Sequence, residues 1–333
     1  MSDTPKPPFG VMLVNLGTPK KPDAASVREY LAEFLWDRRV IQTPRLLWWL
    51  ILHGVILRIR PRKIAHLYQS IWTEDGSPLL AISRKQEKAL RAALQQQLGQ
   101  AIPVELAMTY GEPSLKQAGR ALAAQGARRI LVLPLFPQYS AASTAAVFDG
   151  LARTLQPCPD LPELHFIRDY WEEPAYLDAL AASISEFWQD HERPDRLLLS
   201  FHGIPQRYED QGDPYPSLCR ATAKAVADRL GLADDQWSES FQSRFGREEW
   251  VKPYTDFLLK EWGARDDINR VDVVSPAFSA DCLETLEEIA VQNRALFLEA
   301  GGKDYRYIPC LNDRPDHIDL LTQLVIRHSA PWR

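Results

Sequence analysis

The chain has 333 residues, a formal net charge of −5 and 45% hydrophobic residues. That length accommodates two domains with separate cores, and the mixed, slightly acidic charge gives no pull toward polyanions, so no nucleic-acid partner is expected. Cys158, Cys219, Cys282 and Cys310 form no C-x-x-C pair, and "MSDTPKPPFG" lacks the charged and apolar regions of a secretion signal, which together point to a reducing cytoplasm.

The first apolar run, near residues 10–17, reads as a buried strand that surfaces at Asn15, Leu16, Gly17 and Thr18. A helical stretch follows and ends at Arg38 and Arg39, which read as a solvated helix end. The longest apolar run, "LLWWLILHGVIL" from Leu46 to Leu57, is shorter than the roughly 20 residues that span a bilayer. It reads as a core helix or pocket wall, the alternative being a membrane-surface or lid segment, because Arg45, Arg58, Arg60 and Arg62 flank it.

Further apolar runs lie near 104–110, 129–135, 163–169, 196–202, 237–244, 271–278 and 305–311, with amphipathic stretches between most of them. Strands alternating with helices predict parallel sheets covered on both faces. The halves echo one another weakly: "LVNLGTP" resembles "LLSFHGIP", and "LVLPLFPQYSAAST" resembles "VDVVSPAFSADCLET". The expected fold is therefore α/β, with two similar Rossmann-like domains, each a parallel four-stranded sheet flanked by helices. Prolines in "LQPCPDLPEL" place the expected boundary there, giving domains 1–158 and 159–333, with the last helix a candidate to pack back on the first.

Ligands of open parallel sheets sit beyond the carboxyl ends of the strands, so the residues just after each apolar run are the informative ones. These are Leu16, Thr109, Tyr110 and Gln138 in the first half, and His202, Ser243, Trp250, Asp281 and Glu284 in the second. His202 stands where a buried strand surfaces, beside Gly203, which is expected to let the chain turn sharply. An imidazole there can take a proton or bind a metal near neutral pH, or it can be a structural histidine. Asp281, Glu284 and Glu288 are spaced i, i+3, i+7, an acidic stripe on an α-helix whose opposite face would bury Leu283, Leu286 and Ala290. The stripe reads either as an inward path for a hydrated divalent cation or as a capping box closed by Asp281 and Glu284. His202 with Glu284 would suit a loosely held first-row metal. Cys282 at a helix start suggests a rival, a nucleophile with His202 as base.

The ordered set "VNLGTP", "LPLFPQYS", "LLLSFHGIP", "GDPYP" and "SPAFSADCLETLEEI" resembles the ferrochelatases, and the resemblance covers nearly the whole chain. It implies two Rossmann-like domains around a porphyrin cleft and insertion of Fe2+ into protoporphyrin IX to make protohaem. His202 and Glu284 match the family's central pair, Asp281 and Glu288 its metal or proton path, and Tyr110, Ser243 and Trp250 positions near the macrocycle. Leu16 stands where the coproporphyrin-using branch has a tyrosine, which favours protoporphyrin. Arg38 and Arg39 become candidates to meet propionates.

There are departures: Thr109 replaces an arginine, Cys282 a histidine of the animal members, and Gln292 a carboxylate. The resemblance implies Fe2+ as substrate, no tightly bound cofactor and no iron–sulfur cluster. Expected partners are protoporphyrin IX and Fe2+, with a peripheral contact on the inner face of the cytoplasmic membrane through residues 45–60, and a monomer or weak dimer. Rival readings are a cobalt chelatase of a sirohydrochlorin-type ring, whose cleft would need more Arg and Lys, and a porphyrin or haem carrier, which would not need Glu284 and Glu288.

Overall fold

The structure is a computed structural model that describes residues 7–246 and 248–333; the first six residues of the stretch read for a secretion signal lie outside them. The chain divides into two compact units, one made of Met1–Phe136, Ala141–Asp169 and Asp313–Arg333, the other of Pro137–Ser140 and Tyr170–Asn312.

The first unit holds β1 (Gly10–Gly17), β2 (Val104–Tyr110), β3 (Arg129–Pro134) and β4 (Glu163–Phe166), all parallel, in the order β2-β1-β3-β4. The second holds β5 (Arg196–His202), β6 (Trp237–Gln242), β7 (Arg270–Val274) and β8 (Asp304–Tyr307), again parallel, in the order β6-β5-β7-β8. The two orders are the same, as the echo between the halves predicts. β1 and β5 are buried almost throughout, as strands covered on both faces must be. In each sheet the connection from the first strand runs to one side (β1 to β2, β5 to β6) and that from the third to the other (β3 to β4, β7 to β8), so the chain leaves the carboxyl ends of the two adjacent central strands in diverging directions. Such a switch point is where open α/β sheets take ligands, and His202 is the last residue of β5.

Three expectations need correction. The proline-rich loop is not the domain boundary, because β4 follows it and pairs with β3 in the register Arg129↔Glu163 to Val132↔Phe166. A loop from helix to strand carries the same prolines as a linker, and only the pairing tells them apart. Residues 137–140 belong to the second unit: Gln138 Nε2 donates to the Tyr176 hydroxyl at 3.3 Å and to Thr222 Oγ1 at 3.1 Å, and Ser140 Oγ donates to Asp213 at 2.9 Å. The helix Pro315–His328 lies in the first unit against the helix Pro78–Leu98, and beyond it Trp332 Nε1 reaches Glu163 of β4 at 2.7 Å.

The second correction concerns the apolar run. It forms a helix Arg45–Ile51, a π-helical turn Leu52–Ile56 and the start of a helix Leu57–Ile71. Trp48, Leu52 and Leu57 are buried, but Leu46, Leu47, Trp49, Leu50, Val55 and Ile59 are between 49% and 78% exposed, so this is no core helix. Among the described residues no helix is long and apolar enough to cross a membrane.

The third concerns Gly203, which has no left-handed φ. A Cβ there would lie 2.8 Å from the Gln242 main-chain oxygen and 3.1 Å from Trp250 Cε3. Glycine is required by close approach, not by a turn.

Candidate functional site

The second unit brings His202, Ser243, Glu284 and Glu288 together around the ends of β5, β6 and β7. His202 is half-buried, and its Nδ1 lies 2.7 Å from the Gly203 main-chain oxygen. A carbonyl can only accept, so Nδ1 carries the proton, and in the neutral imidazole the Nε2 lone pair is left available. The Phe278 ring lies 6.5 Å away, centroid to centroid.

The acidic segment is a π-helix over Glu284–Asn293 and not the α-helix that the i, i+3, i+7 reading assumed. A π-helix bonds i to i+5, so its faces repeat close to every fourth residue. Thr285, Ile289 and Asn293 are accordingly the buried row, while Leu283, Leu286 and Ala290, expected inside, are only partly covered. Glu284, Glu288 and Gln292 form the matching row beside it. Gln292 Nε2 donates to Glu287 at 2.5 Å, so where a third carboxylate was expected an amide engages a neighbouring buried one.

Asp281 departs from this row. Its Oδ1 accepts from the Tyr307 hydroxyl at 2.5 Å, Thr285 Oγ1 at 2.9 Å and Cys310 N at 3.5 Å, and its Oδ2 from Asn312 Nδ2 at 2.7 Å. No capping box forms: Leu283 is the cap residue, without a side-chain bond, and the Cys282 N–H is served by Thr285 Oγ1 at 3.0 Å. Asp281 is a buried anchor that ties the start of the π-helix to the segment after β8. Tyr307 and Asn312 were not singled out from sequence, since nothing local marks side chains that meet an acid 26 and 31 residues away; Thr285, only four residues from Asp281, was also passed over.

Glu288 is held at both oxygens by one residue, with Ser243 N donating to Oε1 at 2.8 Å and Ser243 Oγ to Oε2 at 2.5 Å. Burial pushes its carboxyl above the usual glutamate range; the Ser243 bonds and His202 oppose this, while Glu284 adds to it. Glu288 therefore senses both members of the expected pair. Gln242, also missed, sits in register with His202 on the neighbouring strand and donates to the Glu284 main-chain oxygen at 3.4 Å, while Ser200 Oγ holds its other end at 2.7 Å.

Burial, the nearby Glu284 carboxylate and Cys310 push the Cys282 thiol well up, which disfavours the thiolate a nucleophile needs. Trp250 is 5% exposed, donates its indole N–H to the Phe245 main-chain oxygen at 3.0 Å and lies against Gly203.

The other candidates lie in the first unit. Tyr110 ends β2, packs its ring edge on Phe34 at 5.2 Å, and has its phenol pushed up by burial and by Asp37. The Leu16 N–H bonds Asn15 Oδ1 at 2.8 Å, and Thr109 Oγ1, where the family's arginine is missing, donates to the Asn15 main-chain oxygen at 3.1 Å. Arg39 forks onto Asp149 at 2.8 and 3.2 Å, which commits its guanidinium within the unit. Arg38 lines a shallow cavity of about 330 Å³ with Gln42, Thr43 and Arg45. Among the described residues no group of three or more His, Cys, Asp or Glu side chains stands ready to hold an ion.

The fold has counterparts among solved structures. SirB from Bacillus subtilis with Fe3+ superposes with a TM-score of 0.53 at 13% identity, over 97% of this chain and 96% of that one. CbiX, the terminal enzyme for biosynthesis of sirohaem in denitrifying bacteria, superposes at 0.54 with 15% identity over 96% and 98%. The architecture is that of the chelatases. Sequence narrows it further: the family profile described as Ferrochelatase matches residues 8–329. The ferrochelatase of Pectobacterium atrosepticum is 54% identical over 95% of this chain and 97% of its own length, and that of Thioalkalivibrio sulfidiphilus 51% identical over 97% and 88%. The chain belongs to the ferrochelatase family.

Proposed function

We propose that this protein inserts Fe2+ into protoporphyrin IX to form protohaem, acting as a lyase. The observation that carries the reading is the pairing, in a ferrochelatase-family chain, of a His202 Nε2 lone pair at a sheet switch point with the Glu284 and Glu288 carboxylates on one face of a π-helix. Iron entry replaces two pyrrole N–H protons, so the reaction releases two protons for each Fe2+ taken in. His202, through Nε2, accepts a pyrrole proton as general base. Glu284, whose carboxylate lies beside the Cys282 thiol, receives the metal or passes the proton outward. Glu288 has a raised proton affinity and suits the second of these tasks. Tyr110, Leu16, Trp250, Arg38 and Arg39 remain candidates to contact the macrocycle.

Fe2+ enters as substrate, and the proposal includes no resident cofactor and no iron–sulfur cluster. The exposed apolar residues of 46–59, interleaved with Arg58 and Arg60, support a peripheral contact with the inner face of the cytoplasmic membrane, for a protein that is a monomer or weak dimer. The test is anaerobic incubation with protoporphyrin IX and Fe2+, following loss of porphyrin fluorescence. Turnover by the wild type, with His202→Ala and Glu284→Ala inactive, is the expected result. Tight porphyrin binding by all three without metal entry would make it a carrier.

A further inference from the structure

The end of β6 touches every member of the site. The Gln242 main-chain oxygen accepts the Gly203 N–H at 2.8 Å, which fixes the residue after His202. Its side chain reaches the Glu284 main chain, and the next residue, Ser243, gives one donor to each oxygen of Glu288. Ser243 does this with φ at +65°, a left-handed conformation that is costly for any residue with a Cβ and free for glycine. Among the described residues the only other non-glycine with positive φ is Asn312, which holds Asp281, and asparagine tolerates that region better than serine does. Backbone strain of this kind persists where the surroundings enforce it, and it gathers at functional sites. Glycine would remove the strain but also the hydroxyl that bonds Oε2.

We propose that Ser243 is a positioning residue: its two donors hold the Glu288 carboxylate in a single orientation beside His202 and Glu284, so that Glu288 meets the incoming metal or the departing proton already aligned. This rests on the iron-insertion reading above. It separates Ser243 from the macrocycle contacts with which the family resemblance groups it, since both of its donors are spent on a carboxylate. Pre-alignment matters because small displacements of a reacting group are amplified in rate.

Three variants separate alignment from folding. Ser243→Ala removes the hydroxyl and keeps the strain; Ser243→Gly removes the hydroxyl and relieves the strain; Glu288→Ala removes the group acted upon. With protoporphyrin IX and Fe2+ under anaerobic conditions, the first two should each lose roughly tenfold or more in kcat, the scale of one hydrogen bond to a charged group, with porphyrin KM unchanged. The Gly variant should nevertheless unfold several degrees above the Ala variant. In the Glu288→Ala background, adding Ser243→Ala should change kcat by less than about twofold, as expected for residues acting as a unit. Activity that follows thermal stability through the series, or losses that multiply in the double variant, would overturn the proposal. A wild type that inserts no iron would overturn the functional reading and this with it, whereas an active wild type with multiplying losses would overturn this alone.

Discussion

Asp281→Asn distinguishes an anchor from a metal ligand, because the two roles predict opposite separations of stability and activity. The substitution is isosteric and removes one acceptor. Asp281 Oδ2 takes Asn312 Nδ2 at 2.7 Å, while Asn312 Oδ1 takes the Asp281 N–H at 2.9 Å. Both ends of the Asn312 amide are thus committed, and it cannot flip to meet a new NH2 without losing the second bond. The reverse orientation, with the new NH2 at Oδ1, would face the Tyr307 and Thr285 hydroxyls and the Cys310 N–H.

Either way one hydrogen bond to a charge is lost, about 1.5–3 kcal/mol, and a buried donor is left unpaired, about 1–3 kcal/mol more. The expected destabilisation is roughly 2.5–6 kcal/mol, a fall of about 4–9 °C in the unfolding midpoint of a chain this long. Circular dichroism or calorimetry reads this directly. Initial rates taken well below the midpoint should stay within a few-fold of wild type, since the carboxylates facing His202 are untouched. An unchanged midpoint with turnover lost by a hundredfold would refute the anchor reading and return Asp281 to the metal path.

Two further predictions concern groups away from the reaction. Arg306 forks onto Asp272, which is fully buried and also takes the Trp188 indole N–H at 2.7 Å, so Arg306→Met should cost about 3–5 kcal/mol at neutral pH by leaving a buried charge unpaired. Burial already holds the Asp272 carboxyl above its ordinary value; a raised carboxyl stabilises the fold below the unfolded-state pKa and loses that contribution as pH rises through the folded one. The penalty measured by denaturant unfolding should therefore shrink as pH falls from neutral toward the acid range, and a penalty independent of pH would contradict the assignment. Cys158 is exposed, while Cys219, Cys282 and Cys310 are buried with their thiols pushed up, so iodoacetamide should add one carbamidomethyl group to the native chain at Cys158; fast labelling of Cys282 would revive the nucleophile.

What the sequence made legible follows strand periodicity and strand ends. His202, Ser243 and Glu284 could be found because apolar runs stop beside them and a parallel sheet puts its ligands there. The domain boundary could not, because β4 is a strand of four residues whose membership is decided by pairing with Ile130 and Val132 rather than by its own composition. The run 46–57 misled for a related reason. Hydrophobicity reports a cost of exposure, but it does not report whether another surface is present to relieve it, and Leu46, Trp49 and Leu50 stay open.

The π-helix is the instructive failure. Glu284 and Glu288 were assigned to one stripe on α-helical spacing, and they do share a row, but through a different period. At 3.6 residues per turn positions 281, 284 and 288 align; in the π-helix Glu284–Asn293 the row runs 284, 288, 292, and Asp281 lies in the irregular segment before the helix, outside the row. The segment thus gives its acids two environments where the sequence presents one series. Asp281 can be saturated with donors and hold the helix in place because it does not line the row, and Glu288 can be reached by Ser243 from the neighbouring strand because it does. Both acids are hydrogen-bonded, Asp281 by several residues around the start of the helix and Glu288 by Ser243. Here the start of the π-helix at Glu284 is what divides a short acidic segment into an anchor before the helix and a row along it.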